Sequence, residues 1–162
     1  MSTDQLQKKV LLSAPTSRVW RALTDSKEFG SWFGMKLEGA FRAGAVMHGV
    51  IMPTTVDSEV AKMQKPYEGK AVEFVIDRIE PESLFSFLWH PFAVDSKIDY
   101  SMEPMTLVTF TLKEQKFGVL LTITESGFDR IPSTRRNEAL KANESGWSKQ
   151  LELIEKYLII HP

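Results

Sequence analysis

The sequence predicts an α+β fold: a curved antiparallel sheet of about six to seven strands around one long carboxy-terminal helix, with two short helices after the first strand. Three observations carry this. On a helical wheel of about 100° per residue, Ala139, Leu140, Asn143, Gly146, Trp147, Leu151, Ile154, Tyr157 and Leu158 fall within an arc of about 120°. Lys141, Ser145, Lys149, Glu152 and Lys156 lie opposite. The middle of the chain reads instead as short strands punctuated by glycine and proline. Finally, the main helical patterns are segregated to the two ends of the chain. That argues against a parallel α/β architecture.

The elements follow in order. Leu6 to Leu12 reads as a first strand, closed by Ala14-Pro15. Pro15 suits a first helical turn with Ser13 as its cap, and the helix carries Val19, Trp20 and Leu23 on one face. After Asp25, Ser26 is placed to cap a second helix holding Phe29, Trp32 and Phe33, which Gly30 and Gly34 limit to about two turns. Strands are expected over Lys36 to Phe41 and Ala45 to Met52. Thr54 to Pro66 reads as a long loop with a helical turn around Asp57 to Met63.

Lys70 to Glu80 has strong strand propensity through Val72, Phe74, Val75, Ile76 and Ile79. In the next strand Phe85, Phe87 and Trp89 alternate with Ser86, Leu88 and His90. Phe92 to Pro104 is a second long loop. Val108, Phe110 and Leu112, then Val119, Leu121 and Ile123, mark the inward positions of a closing hairpin before Pro132 opens the long helix.

Composition narrows the function classes. A chain of 162 residues suits a single domain over 1–162, with a core that needs no staples. The net charge of −1 and the lack of a basic block leave no footprint for nucleic acid. With no cysteine, disulfides, thiolate metal sites and a cysteine nucleophile are excluded together. The polar opening Met1 to Lys9 is no signal peptide, and no apolar run approaches the ~20 residues of a membrane span. The expectation is a cytoplasmic protein. HExxH, GxSxG, GxGxxG and the phosphate-loop motif are absent, so neither a metal site nor a cofactor is expected.

Four segments, APTSRVWRALTDSKEFGSWF (14–33), FSFLWHP (85–91), TITESGF (122–128) and NESGW (143–147), with Leu151 and Tyr157-Leu158 after the last, resemble the activator of heat shock protein 90 ATPase (AHSA-type) family. That family belongs to the SRPBCC or START-like superfamily, whose fold is the helix-grip. The resemblance covers nearly the whole chain and agrees in element order. It implies an interior cavity between sheet and long helix. The residues that would line it are Trp32 and Phe33 from the short helices and Phe85, Phe87 and Trp89 from the aromatic strand. Val108, Phe110, Leu112, Leu121 and Ile123 would join them from the hairpin, and Leu140, Asn143, Gly146, Trp147 and Leu151 from the helix. Gly146 in mid-helix costs about 1 kcal/mol relative to alanine. Either it opens the cavity or it admits a close-packed neighbour.

Three polar residues are candidate anchors. Glu125 shares parity with Leu121 and Ile123 and points inward if the strand stays regular, but outward if Ser126-Gly127 has already bent it. His48 enters the cavity on the parity of Val46 and Val50, and is exposed if Met47 and Ile51 face inward. His90, one residue past Trp89, lies at the cavity mouth or simply closes the strand. Methionines 35, 47, 52, 63, 102 and 105 in and beside the long loops suggest an adaptable lid.

The resulting expectation is a binding protein for a hydrophobic, apolar or aromatic small molecule. The alternatives are a cyclase- or hydrolase-type enzyme using the same cavity, and a chaperone-associated module. Eukaryotic members of the family act on the chaperone through an additional amino-terminal domain, for which this chain has no room. A homodimer through an edge strand or the short-helix face stays open.

Overall fold

The computed structural model describes residues 4–95 and 97–162. The first three residues of the polar opening segment, and Ser96 of the second long loop, lie outside them. Seven antiparallel strands form one sheet in the order β1-β7-β6-β5-β4-β3-β2. They are β1 (Gln5–Leu12), β2 (Met35–Leu37), β3 (Val46–Ile51), β4 (Ala71–Glu80), β5 (Leu84–Trp89), β6 (Thr106–Gln115) and β7 (Gly118–Ser126). Helices α1 (Thr16–Thr24) and α2 (Ser26–Phe33) follow β1, α3 (Ser58–Gln64) interrupts the first long loop, and α4 (Ser133–Ile160) closes the chain.

Period-two burial puts Phe74, Ile76, Phe85, Phe87, Val108, Phe110, Leu121 and Ile123 on one face of the sheet. Helix α4 lies on that face through Trp147, Leu151, Ile154 and Leu158. Leu153, which the 120° arc missed, is also fully buried, while Leu140 is only partly so. The far end of α4 is pinned to α1 and α2. Tyr157 donates its hydroxyl to Glu28 Oε1 at 2.8 Å, Arg18 pairs with the same oxygen at 2.9 Å, and Arg18 Nε donates to the His161 carbonyl.

Several local expectations are corrected. Ser13 caps nothing: Pro15 is the residue that precedes α1, and no side chain caps that helix. Asp25, not Ser26, caps α2, because its carboxylate accepts from the Lys27 and Glu28 amides. Ser26 donates to the Gly39 carbonyl instead. Gly34 ends α2 in the left-handed conformation (φ 105°), which only glycine adopts without strain. The strand expected over Lys36 to Phe41 is just three residues long, β2, and Phe41 packs into the core from the loop beyond. The turn around Asp57 is a full helix, α3, with Asp57 accepting from Glu59 and Val60.

Candidate functional site

The inward side chains of β4 and β5 meet α2 and α4 in a continuous aromatic stack. Phe74 and Phe87 lie face to face at 4.4 Å, and Phe29 stacks on Phe33 at 4.8 Å. Trp147 touches Trp89 at 5.7 Å and Phe110 at 5.8 Å. Each fully buried ring stabilises the fold by roughly 1.5–3 kcal/mol. The space expected to be hollow between Trp89, Phe110 and Trp147 is therefore filled by those rings themselves. Trp32, Phe85, Phe87, Val108, Phe110, Leu112, Leu121, Ile123, Leu140, Trp147 and Leu151 pack as core and do not reach the cavity wall.

The cavity lies to one side, near the short edge strand. It holds ≈ 500 Å³. Its wall is built by Phe33, Gly34 and Met35, by Val72 and Phe74 of β4, and by Trp89 and His90 at the end of β5. Tyr67 and Gln64 join from the α3 segment, Phe92, Ala93, Val94 and Tyr100 from the second long loop, and Asn143, Gly146 and Gln150 from α4. Five of the sequence candidates line this boundary: Phe33, Trp89, His90, Asn143 and Gly146. His48 reaches it from outside. It shares the outer face of the sheet with Glu73, whose carboxylate is 3.6 Å away, because Met47 holds the inward parity opposite Phe74.

Gly146 resolves into the first of its two readings. A Cβ built there meets nothing within 4 Å, so no neighbour requires the glycine. Its missing side chain deepens the cavity. Gln150, not among the sequence candidates, follows Asn143 and Gly146 by seven and four positions, the spacing of one helix face, and that spacing is the signal for it. Val72 and Phe74 were readable as inward by parity. Gln64 and Tyr67 were not, since an irregular connection fixes no face.

Glu125 does point inward and is completely buried, but it is not a free acid. Trp89 Nε1 and Thr106 Oγ1 donate to Oε2 at 2.7 and 2.6 Å, and Trp147 Nε1 donates to Oε1 at 2.8 Å. Asn143 Nδ2 donates to both oxygens, at 2.9 and 3.1 Å. Since Asn143 must turn its nitrogen toward the carboxylate, its carbonyl end faces elsewhere. The knot ties β5, β6, β7 and α4 together.

Near the mouth, the His90 imidazole is pushed below its ordinary value of 6.5 by burial, with Glu103 and Glu73 pulling it up and Arg135 pressing it down. Its Nδ1 and the Oε1 of Gln150 are buried without a hydrogen-bond partner among the described residues. Gln150 and Gln64 each donate Nε2 to the Phe33 carbonyl at 3.0 Å. Arg135 fastens the second long loop. It forks onto Glu103 at 2.8 Å, donates to the Pro91 and Phe92 carbonyls, and lies over the Tyr100 ring at 4.7 Å. Lys70 donates to the Val94 carbonyl at 2.9 Å. The methionine lid is not present: Met35 alone joins the wall, Met47 is core, and Met52, Met63 and Met102 are exposed. Among the described residues no group of three or more His, Cys, Asp or Glu is placed to hold a metal ion.

Residues 13–159 match the family model described as Activator of Hsp90 ATPase homolog 1-like protein. The chain belongs to this AHSA1-like family. Solved structures agree on the fold. Protein MLL2253 from Mesorhizobium loti superposes with a TM-score of 0.71 at 23% identity, over 98% of each chain. CV1439 from Chromobacterium violaceum gives 0.69 at 18%, over 99% of each. NE0264 from Nitrosomonas europaea gives 0.69 at 16%, over 99% of this chain and 97% of that one. At such identities the likeness shows the helix-grip architecture alone. No curated protein matches the sequence. Among the described residues no helix of this AHSA1-like chain is long and apolar enough to cross a membrane.

Proposed function

We propose that this AHSA1-like protein binds a small apolar or aromatic molecule in the cavity beside Gly146. The supporting observation is the contrast within one interior. Rings pack in direct contact from Phe29 to Trp147, yet ≈ 500 Å³ beside them is left open, where α4 carries a glycine that no neighbour demands. That volume falls within the roughly 300–1,000 Å³ of small-molecule sites. The ligand contacts we assign are Phe33, Trp89, His90, Asn143, Gly146 and Gln150, with Gln150 Oε1 offering an acceptor.

The enzymatic alternative would have to run without Glu125, whose oxygens are already occupied by donors from four side chains. A chaperone-linked role rests on the family's name. The test is a thermal-shift screen of uncharged and charged aromatic compounds, paired with native mass spectrometry of the purified protein. A binder in the cavity raises the midpoint in proportion to the logarithm of its concentration. A flat response across the screen, with no co-purified molecule, would overturn the proposal.

A further inference from the structure

The cavity's charge pattern says more about its occupant. Six of its wall residues are aromatic: Phe33, Tyr67, Phe74, Trp89, Phe92 and Tyr100. Behind Trp89 and Asn143 lies the Glu125 carboxylate, with 0% exposure. Every group that reaches it is neutral: the N–H groups of Trp89, Trp147 and Asn143, and the Thr106 hydroxyl. None of the ion pairs among the described residues includes it. With no cation paired to it, the dipoles of those donors are all that balances this carboxylate.

Trp89 links that carboxylate to the wall. Its indole borders the cavity while its N–H is bonded to Glu125 Oε2 at 2.7 Å. Such a bond pushes electron density into the ring and strengthens the attraction of its face for a cation. Of the cations near the mouth, Arg135 is paired with Glu103, and Lys70 directs its ammonium to the Val94 carbonyl of the loop. Burial works against a charge on His90. At the rim, Glu73 adds a second negative group beside His48.

We infer that the ligand is an organic cation, a quaternary or protonated amine on an apolar or aromatic body, held against the Trp89 face with Glu125 as its remote counter-charge. This rests on the binding role proposed above. An anionic ligand of the same shape meets the same walls with the opposite electrostatic sign.

The test uses three probes of one shape: benzyltrimethylammonium, its uncharged carbon isostere neopentylbenzene, and benzylsulfonate. Dissociation constants are measured by tryptophan fluorescence or calorimetry, on the native chain and on Trp89→Leu. The ammonium is expected to bind at least about tenfold more tightly than the sulfonate, and Trp89→Leu to shrink that ratio to about threefold or less. Comparable or tighter sulfonate binding would overturn the inference. So would binding of neopentylbenzene alone, which would leave the cavity itself a binding site. Failure of all three to bind would remove the binding role together with the charge preference. Because the ratio is first read on the native chain, a Trp89→Leu variant that does not fold leaves the comparison decisive.

Discussion

Trp89 donates its indole N–H to Glu125 at 2.7 Å, and this bond joins the cavity wall to a carboxylate that never meets solvent. Strand β5 ends at Trp89 and Glu125 lies near the end of β7, so the pair spans the intervening β6. With Trp147 and Asn143 added, the same two oxygens position α4 on the sheet. Stability and cavity shape therefore share one residue.

Glu125→Gln is expected to destabilise the fold by about 3 kcal/mol. The replacement turns an NH2 toward a ring of donors, leaving buried N–H groups without acceptors. Urea denaturation followed by the fluorescence of the four tryptophans measures it. A midpoint unchanged from the native chain would show that the carboxylate is not holding the strands and helix together.

Gly146→Ala is expected to do the reverse. A methyl group there meets open space, so the helix gains about 1 kcal/mol of propensity without a clash. Thermal denaturation reads the gain. Loss of stability would mean that a neighbour packs against the glycine after all.

Arg135→Ala is expected to loosen the 91–104 segment while the sheet keeps its protection. The guanidinium's fork to Glu103, its bonds to the Pro91 and Phe92 carbonyls and its contact with Tyr100 are lost together. Hydrogen exchange and limited proteolysis should both accelerate in that segment. Unchanged exchange there would contradict the latch.

His90 sets a pH dependence. Burial holds its folded-state value below 6.5, whereas the unfolded chain takes up a proton near 6.5. As pH falls below about 6.5 the unfolded state gains the proton first. Stability accordingly declines, then levels off once the folded imidazole also protonates. Urea midpoints between about pH 7.5 and 5 should show this decline in the native chain and a shallower one in His90→Asn. Identical curves would contradict it.

Much of the frame was legible because periodic burial leaves a mark in the sequence. The arc of α4, the aromatic alternation of β5 and the inward parity of Glu125 all express a fixed repeat of 3.6 or 2. The cavity was less legible for two reasons. Trp89, Phe110 and Trp147 were rightly placed inward, but inward rings can meet one another, and periodicity does not say whether they leave a gap. Its other walls come from Gln64, Tyr67 and Phe92, on segments whose direction depends on caps and loop bonds, such as Asp57 on α3 and Arg135 on the second long loop. His48 shows the one-residue ambiguity of a short strand: Met47 took the inward parity, so the imidazole faces out.

The most direct test of the central claim is an amide NMR titration of the native chain and Gly146→Leu with an uncharged aromatic probe such as 1-naphthalenemethanol. The expected result is saturable one-to-one shifts clustered at Phe33, Trp89, His90, Gly146 and Gln150, abolished when the leucine side chain occupies the hollow of α4. Shifts scattered over the outer surface, or unchanged binding in Gly146→Leu, would contradict a ligand site in this cavity.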